Sequence, residues 1–345
     1  MNLPFYINDM NKKIFITGVA GFLGSHLADH FLRLGWKVAG NDNLIGGYLD
    51  NVPDEVDFHQ VDCQYLNTMK NMLQDVDVVV HAACTAYEGL SVFSPHLVVQ
   101  NTTQITATVL SASVQAGVKR FIYCSSMARY GESEIMPYRE DFPVRPQDPY
   151  GIAKVAAEQL TKNICETHGI EYVIAVPHNI IGPRQKYDDP FRNVASIMIN
   201  LMLQGRQPII YGDGNQLRCF SFIEDCIFCL ERLVTQDNVL SETINIGPDE
   251  QFITINKLAE IIGAQLNFNI NPIYFKGRPQ EVKNAYCSSD KARKLLNYNT
   301  QVSLELGLSK MIDYIRARGP KKFRYHLDVE IVNELTPETW KNKVF

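Results

Sequence analysis

The sequence predicts an α/β fold, in which a Rossmann-type, doubly wound parallel sheet is followed by a smaller, mixed α/β substrate-binding C-terminal region. Three observations support this fold class. Strand and helix patterns alternate through the first half of the 345 residues, a glycine-rich turn joins the first strand to the first helix, and turn-forming residues cluster after Pro177. The composition, with 46% apolar and 21% charged residues, is that of an ordinary globular protein.

The predicted strands are short apolar runs, and the predicted helices repeat apolar residues at helical spacing. Strands are expected at residues 13–17, 37–41, 56–59, 77–81, 120–125 and 172–176. Helices are expected at residues 21–34, 68–73, 96–116 and 150–167 in the first half and at 192–203, 223–233 and 255–266 in the second. This alternation predicts parallel strands connected by right-handed crossovers.

The composition also argues against several classes of function. The net charge of −5 disfavours a nucleic-acid-binding surface, and no apolar run approaches the ~18 residues that would span a membrane. The polar first residues lack the apolar core of a signal peptide, so we expect a cytoplasmic protein. Cys226 and Cys229 have the spacing of metal ligands but no accompanying pair, so we expect two core thiols and no bound metal.

Gly18, Gly21 and Gly24 follow the first predicted strand and open the first predicted helix. In a dinucleotide-binding turn, such glycines permit the tight turn, the approach of the pyrophosphate to the backbone, and close packing of helix on strand. Asp42 ends the second strand, where it would accept hydrogen bonds from the adenosine ribose. Because a carboxylate repels a 2′-phosphate, the sequence predicts NAD rather than NADP. Asp62 is either an adenine contact or a surface turn residue.

Tyr150 and Lys154 are four residues apart and share one face of a predicted helix. Ser126 follows an apolar strand whose end can reach the same point in space. A tyrosine titrates near ~10, so accepting a proton near pH ~7 requires roughly 4 kcal/mol of preferential phenolate stabilisation. We expect the Lys154 ammonium and an oxidised nicotinamide ring to supply it. This set predicts removal of a hydroxyl proton while a hydride leaves the same carbon.

The motifs around these positions fall in the order of a known superfamily. Besides the glycine turn and the Ser–Tyr–Lys set, they include His81-Ala82-Ala83, Tyr130-Gly131, His178-Asn179, Tyr211-Gly212 and Gly277-Arg278-Pro279. From about residue 12 to residue 315, the chain resembles the extended short-chain dehydrogenase/reductases, in their sugar-nucleotide epimerase/dehydratase branch. The resemblance implies an NAD-dependent enzyme that binds a nucleotide-diphosphate sugar and forms a homodimer through helices 96–116 and 150–167.

The resemblance also implies which residues form the site. The catalytic residues would be Ser126, Tyr150 and Lys154. The cofactor would contact Gly18, Gly21, Phe22, Leu23, Gly24, Asp42, Asn43, Asp62, Ala82, Ala83, Asn101, Tyr150, Lys154 and Pro177. The substrate would contact Glu88, Ser126, Asn179, Arg184, Arg218 and Arg278, with Arg218 and Arg278 clamping the diphosphate bidentately. For Glu88 and Arg184, a solvated surface role stays open.

The predicted domains follow from these assignments. Residues 1–177 form mainly the NAD-binding domain, and residues 178–318 form mainly the nucleotide-sugar-binding region. Residues 319–345 form a C-terminal tail that packs on the body of the protein or on a partner subunit.

The segment after Ser126 separates the reactions of this branch. Met127 and Ala128 stand where the resembling 4,6-dehydratases carry an Asp-Glu pair and the decarboxylating relatives carry a glutamate. Apolar side chains cannot transfer protons, so dehydration and that type of decarboxylation are disfavoured. The reaction that remains is a 4-epimerisation like that of UDP-glucose, in which carbon 4 is transiently oxidised and the hydride returns to the opposite face.

Three alternatives stay open. The same residues would serve a nucleotide-sugar 4-dehydrogenase or 4-keto-reductase with a net redox change. GDP-mannose 3,5-epimerases have a segment similar to the one at His178, but they place a cysteine where Ala128 stands. The third alternative is an NAD-binding regulator without catalysis, although such relatives commonly lose the Tyr–Lys pair that is intact in this chain.

Overall fold

The structure is a computed structural model that describes residues 12–132 and 135–345. Its strands are β1 (Lys13–Thr17), β2 (Lys37–Asp42), β3 (Asp57–Gln60), β4 (Val78–His81), β5 (Arg120–Cys124), β6 (Glu171–Pro177), β7 (Ile180–Ile181), β8 (Ile209–Tyr211), β9 (Leu217–Arg218), β10 (Ser221–Phe222), β11 (Thr243–Ile246), β12 (Ile253–Thr254), β13 (Ile273–Phe275) and β14 (Asn284–Ala285). Its α-helices are α1 (Phe22–Arg33), α2 (Leu66–Met72), α3 (Glu88–Ser91), α4 (Pro95–Val99), α5 (Ile105–Ala116), α6 (Pro149–His168), α7 (Val194–Leu203), α8 (Ile223–Thr235), α9 (Ile255–Leu266), α10 (Asp290–Leu296), α11 (Leu304–Arg318) and α12 (Glu338–Lys341).

A seven-stranded parallel sheet organises the fold, with strand order β11-β6-β5-β4-β1-β2-β3. The predicted Rossmann-type sheet is therefore confirmed. The strand order reverses between β1 and β4, and the loops that follow these two strands border a cleft at the carboxyl ends of the strands. Ligands of doubly wound sheets bind at such a reversal point.

Both faces of the sheet are buried, as its nearly continuous apolar strands require. Ile14 and Ile16 point to one face, where they join a core with residues of α1 and α8. Phe15 points to the other face and joins a core with residues of α2, α5 and α6. The alternation along β1 follows from the two-residue period of a strand.

Two elements differ from the sequence-based expectation. The seventh strand, β11, lies in the region predicted to bind substrate, yet it pairs in parallel with β6, with Ile244 opposite Ala175. The predicted helix 96–116 is interrupted by a π-helical turn, Gln100–Gln104, in which Asn101 has φ −84° and ψ 16°. That turn separates α4 from α5 and places Asn101 on the cleft.

Short strands and helices form the second region, with strand pairs β7–β10 and β8–β13 and a three-stranded sheet of β12, β9 and β14. The C-terminal segment (residues 320–345) follows α11 and packs on the body of this chain. Its Trp340 lies 5.9 Å from Phe93 and 5.2 Å from Phe191, measured between ring centroids.

All eight cysteines are free thiols, and Cys226 and Cys229 lie on α8 with their side chains buried in the core. Within residues 12–132 and 135–345, no helix is long and apolar enough to cross a membrane. The same residues contain no group of three or more His, Cys, Asp or Glu side chains placed to hold a metal ion.

Candidate active site

The glycine turn after β1 presents backbone to the cleft. Gly18 has φ +72°, and a Cβ there would lie 3.0 Å from the Cα of Ala83 in the loop after β4. A Cβ at Gly24 would overlap the carbonyl oxygen of Gly18. The turn is held to β2 because the Gly18 amide donates to the Asn41 carbonyl at 2.8 Å. This part of the cleft can therefore accept a diphosphate against backbone amides and the start of α1.

Asp42 is buried at the end of β2, beside that turn. Its carboxylate accepts hydrogen bonds from the amides of Ala20 (3.1 Å) and Leu44 (2.7 Å). Burial raises the pKa of Asp42, and these amides lower it by less. The next residue, Asn43, donates from Nδ2 to the carboxylate of Asp62 at 2.7 Å. All three polar side chains border the same end of the cleft, where the sequence predicts the adenosine.

A buried hydrogen-bond chain fixes the loop after β4. The Ala83 amide donates to Thr17 Oγ1 (3.1 Å), which contacts His81 Nδ1 (2.8 Å). His81 Nε2 lies 3.0 Å from Thr106 Oγ1. The Thr106 hydroxyl donates its own proton to the Thr102 carbonyl (2.6 Å), so it accepts from His81. His81 therefore donates from Nε2, and its Nδ1 can accept the proton of the Thr17 hydroxyl, which is the arrangement of a neutral ring.

Burial lowers the pKa of His81 to about 3, in agreement with a neutral ring. Its ring is 1% exposed, so it supports the loop and has no access to a substrate. The motif at His81 is thus structural, and the flanking Ala82 and Ala83 line the cleft.

Helix α6 carries Tyr150 and Lys154 on the face toward β5. Its start is set by Pro149 and by Asp148, whose carboxylate caps the helix by accepting from the Gly151 amide at 2.9 Å. The Lys154 ammonium is buried and donates to the Cys124 carbonyl at 2.7 Å. It lies 5.7 Å from the centroid of the Tyr150 ring.

Ser126 follows β5 and caps a short 3₁₀ turn, Met127–Arg129, by accepting from the Ala128 amide at 3.2 Å. Burial raises the pKa of Tyr150 well above its ordinary value, and a hydrogen bond with Ser126 lowers it by less. Formation of the phenolate therefore needs positive charge close to the hydroxyl.

A buried ion pair between Glu158 and Arg129 supports the positions of Ser126, Tyr150 and Lys154. Glu158, one turn after Lys154, accepts from Arg129 Nε at 3.2 Å and from the hydroxyl of Ser125. Glu158 is 1% exposed and Arg129 is 4% exposed. Together they hold the end of β5 against α6. The sequence signal for Glu158 is its spacing of four residues from Lys154, which places both on one helix face.

The opposite part of the cleft carries two arginines that share one carboxylate. Arg278 Nη2 lies 3.0 Å from Glu281 Oε1, and Arg218 Nη2 lies 3.5 Å from the same oxygen. Glu88 lines the cleft with a solvent-exposed side chain; desolvation by the surrounding protein and the charge of Asp148 raise its pKa, and these two arginines lower it. Asn179 borders the same cleft and donates to the Cys219 carbonyl at 3.0 Å.

Arg184 is the one predicted site residue that does not line the cleft. It has φ +68°, and its guanidinium pairs with Asp29 at 2.5 Å and donates to the Ser25 carbonyl at 3.1 Å. These partners lie on α1, so the side chain is directed onto that helix. This placement differs from the expected substrate contact and favours the surface role that the sequence leaves open for Arg184.

All other predicted site residues line a single cleft of about 440 Å³. The sequence did not indicate several further lining residues, namely Cys84, Gln216, Glu281 and Phe345. For Glu281, the signal was its spacing of three residues from Arg278. For Phe345, the sequence offers no signal. The backbone floor at Gly18 and the buried Asp42 carboxylate fit the pyrophosphate and ribose of NAD.

Comparisons with known proteins agree with this site. Residues 14–247 match the NAD dependent epimerase/dehydratase family. The "Putative UDP-glucose 4-epimerase" of Methanocaldococcus jannaschii is 31% identical over 312 residues, covering 88% of this chain and 98% of that protein. The Thermotoga maritima UDP-glucose 4-epimerase, crystallised with UDP-glucose, has a TM-score of 0.84 at 28% identity, over 89% of this chain and 99% of its own.

A second solved structure, the Bacillus cereus UDP-glucuronic acid 4-epimerase in complex with UDP-glucuronic acid and NAD, has a TM-score of 0.82 at 31% identity. The match covers 89% of this chain and 100% of that one. Fold, cleft and sequence lead to one conclusion: this chain belongs to the NAD-dependent epimerase/dehydratase family, and its cofactor is NAD.

Proposed function

We propose that this protein is a nucleotide-sugar 4-epimerase whose substrate is a UDP-linked sugar. The observation that carries the proposal is the meeting of Ser126, Tyr150 and Lys154 in the cleft bordered by the glycine turn. The neighbouring Met127 and Ala128 have no group that transfers a proton, which supports epimerisation over dehydration. The UDP-sugar 4-epimerases named above support the same choice.

The roles of the residues follow from their chemistry. NAD, when bound, supplies the hydride acceptor and, in its oxidised form, a positive charge. Tyr150 Oη takes the proton of the hydroxyl on carbon 4, and Ser126 Oγ hydrogen-bonds the same oxygen. Because burial raises the pKa of Tyr150, proton transfer near neutral pH needs positive charge nearby. Lys154 contributes part of that charge, and its bond to the Cys124 carbonyl holds α6, which carries Tyr150, against β5.

Arg218 and Arg278 are assigned to the diphosphate. Glu281 holds both guanidinium groups at the cleft before substrate arrives, which reduces the entropy lost on binding. A diphosphate adds the negative charge that one shared carboxylate leaves uncompensated. Glu88 and Asn179, which border the same space, are assigned to the sugar and the adjoining phosphate.

The test is turnover by the purified protein without added cofactor. UDP-glucose, UDP-galactose and UDP-glucuronic acid are supplied separately, the C4 epimers are separated by chromatography, and NADH absorbance is followed in parallel. The proposal expects interconversion of one epimer pair with no net NADH. Accumulation of NADH or of a keto sugar in proportion to product would instead indicate a net dehydrogenase.

Two tyrosine variants separate the proton acceptor from its surroundings. Tyr150→Phe is expected to lower kcat by at least ~10³-fold while the variant still binds NAD. Tyr123→Phe is the matched control, because Tyr123 lies 5.1 Å from the Lys154 ammonium and its buried hydroxyl has no hydrogen-bond partner among the described residues. Unchanged turnover in Tyr150→Phe would refute the assignment.

We also propose that the protein is a cytoplasmic homodimer. Eight free thiols are typical of a reducing compartment. Ile152 on α6 is 53% exposed and Val99 on α4 is 43% exposed, so both predicted interface helices present apolar side chains to solvent. Light scattering of the purified protein tests the dimer, and Ile152→Lys is expected to shift it toward monomer.

A further inference from the structure

The C-terminal segment is held in a defined course along the rim of the cleft. The Ile331 amide donates to the Phe93 carbonyl at 2.8 Å. The Glu330 carboxylate accepts from the amides of His96 (3.0 Å) and Leu97 (2.8 Å) in the first turn of α4. The segment lies outside the range that matches the family, which ends at residue 247.

The end of this segment enters the cleft. The Phe345 amide donates to Tyr325 Oη at 3.1 Å, so the backbone doubles back on itself at this point. The Phe345 side chain packs against Ile197 and Ile209, which are buried, and the three side chains line the same cleft. They form an apolar surface that faces the space available to a ligand.

Tyr211 joins this apolar surface to the paired arginines. The Arg278 guanidinium lies 4.8 Å from the centroid of the Tyr211 ring. On its other side, Tyr211 Oη lies 2.5 Å from Thr339 Oγ1 of the C-terminal segment. Ile209 and Tyr211 are two residues apart on β8, so both point to the same face. The apolar surface formed by Phe345, Ile197 and Ile209 therefore adjoins the arginine pair through Tyr211.

Contacts give the order of these groups along the cleft. The residue after Glu88 lies against Arg278, because a Cβ at Gly89 would lie 2.9 Å from Arg278 Nη1. At the other end of the same short helix, Ser91 donates to the Asp148 carboxylate (3.3 Å), which caps the start of α6 beside Tyr150. The sequence of groups is thus Tyr150, Glu88, Arg278 and Tyr211, with Phe345 beyond.

A nucleotide sugar has the linear order sugar, diphosphate, ribose and base. We propose that Phe345, carried by the C-terminal segment, forms a wall of the nucleobase pocket and sets the affinity for the nucleotide part of the substrate. This inference rests on the proposed function, because the sugar is placed at Tyr150 and the diphosphate at Arg278. The planar base then packs against Phe345 and Tyr211, since aromatic rings bury the faces of bases well.

Ligand binding tests the wall without requiring turnover. The holoprotein and its variants are titrated with UDP, dTDP, CDP and GDP, and with inorganic pyrophosphate, by calorimetry. For Phe345→Ala, we expect the Kd of the best nucleoside diphosphate to rise about tenfold while the Kd of pyrophosphate stays the same. Phe345→Leu keeps apolar volume at the wall, so its Kd for the nucleoside diphosphate is expected to lie between those of the wild type and Phe345→Ala.

Leu335→Ala is the matched control, because Leu335 lies in the same segment, is 52% exposed, and does not line the cleft. It should leave both Kd values unchanged, and the NAD content of every variant should equal that of the wild type. The proposed role of Phe345 is refuted if Phe345→Ala binds the nucleoside diphosphate as tightly as the wild type, or if its Kd for pyrophosphate rises by the same factor.

Turnover separates this inference from the proposed function. With a sugar substrate, Phe345→Ala should raise KM about tenfold with kcat nearly unchanged. A wild-type protein that binds UDP but does not epimerise any UDP-sugar would refute the proposed reaction and leave the wall supported. A wild-type protein that binds none of the four nucleoside diphosphates would overturn both.

Discussion

The neutral, buried state of His81 makes the stability of this protein depend on pH in a calculable way. Burial lowers the pKa of His81 from 6.5 to about 3 in the folded protein. Between these values the unfolded chain binds a proton that the folded chain does not, so stability falls as the pH falls below 6.5. The loss approaches about 1.4 kcal/mol per pH unit, which amounts to about 2 kcal/mol at pH ~5 relative to pH ~7.5.

The assay is urea unfolding of the wild type and of His81→Gln across this pH range, followed by circular dichroism. His81→Gln is less stable at neutral pH because its hydrogen-bond chain is broken. The difference in free energy of unfolding between His81→Gln and the wild type (the gap) should then shrink by about 2 kcal/mol on acidification to pH ~5. Other titrating groups, including His178, whose pKa burial also lowers, contribute to both proteins and cancel in the difference.

Ser111→Ala is the control, because Ser111 is exposed on α5 and carries no titrating group. Its gap to the wild type should not change with pH. A gap between His81→Gln and the wild type that is constant from pH ~7.5 to pH ~5 would refute the reasoning, because it would mean that His81 gains its proton equally in the folded and unfolded chains.

Three further predictions concern the groups around the cleft. Gly24→Ala forces a methyl group against the Gly18 carbonyl, so we expect a loss of about 1–3 kcal/mol of stability and a lower NAD content, measured by thermal unfolding and by cofactor release. Asp42→Ala removes the acceptor predicted for the ribose and should weaken NAD binding by roughly 10- to 100-fold in a titration of the stripped protein; unchanged affinity would contradict that role. Arg129→Leu leaves the Glu158 carboxylate buried without its partner and should cost about 3–5 kcal/mol in urea unfolding, most of it recovered when Glu158→Leu is added; simple additivity would argue against a coupled pair.

Much of the first half of the fold could be predicted because its signals are local. Most of the predicted strands from β1 to β6 are apolar runs bounded by turns, with the mostly polar β3 as the exception. The glycine turn requires backbone conformations that only a few residues permit. The residues predicted at the cofactor end all line the cleft for the same reason, since the carboxyl ends of neighbouring parallel strands meet.

The features that were missed depend on distant partners or on subtle backbone changes. β11 alternates polar and apolar residues over four positions, and nothing local indicates that it pairs with β6 rather than with the second region. The π-helical turn at Asn101 inserts one extra residue into a helix without changing its apolar character. The direction of Arg184 is decided by Asp29, which lies far away in the sequence.

The energetics of Tyr150 show a different limit. The spacing of Tyr150 and Lys154 correctly indicates that they share a helix face, but spacing does not reveal how deeply a phenol is buried. Burial is the largest influence on the pKa of Tyr150 and raises it, and this effect has no signal in the sequence. The contribution of Phe345 was missed for a related reason, since an irregular segment has no periodicity from which a position can be inferred.

The return of β11 to the central sheet has a practical consequence for recombining this enzyme with its relatives. A chimaera joined at residue 177 would pair β6 of this chain with the β11 of the relative, so two strands from different proteins would have to match in register and packing. Exchange of substrate preference by module swapping therefore requires two crossover points, one on each side of the inserted stretch between β6 and β11. A single cut, however well placed in the linear chain, would split a structural unit in half.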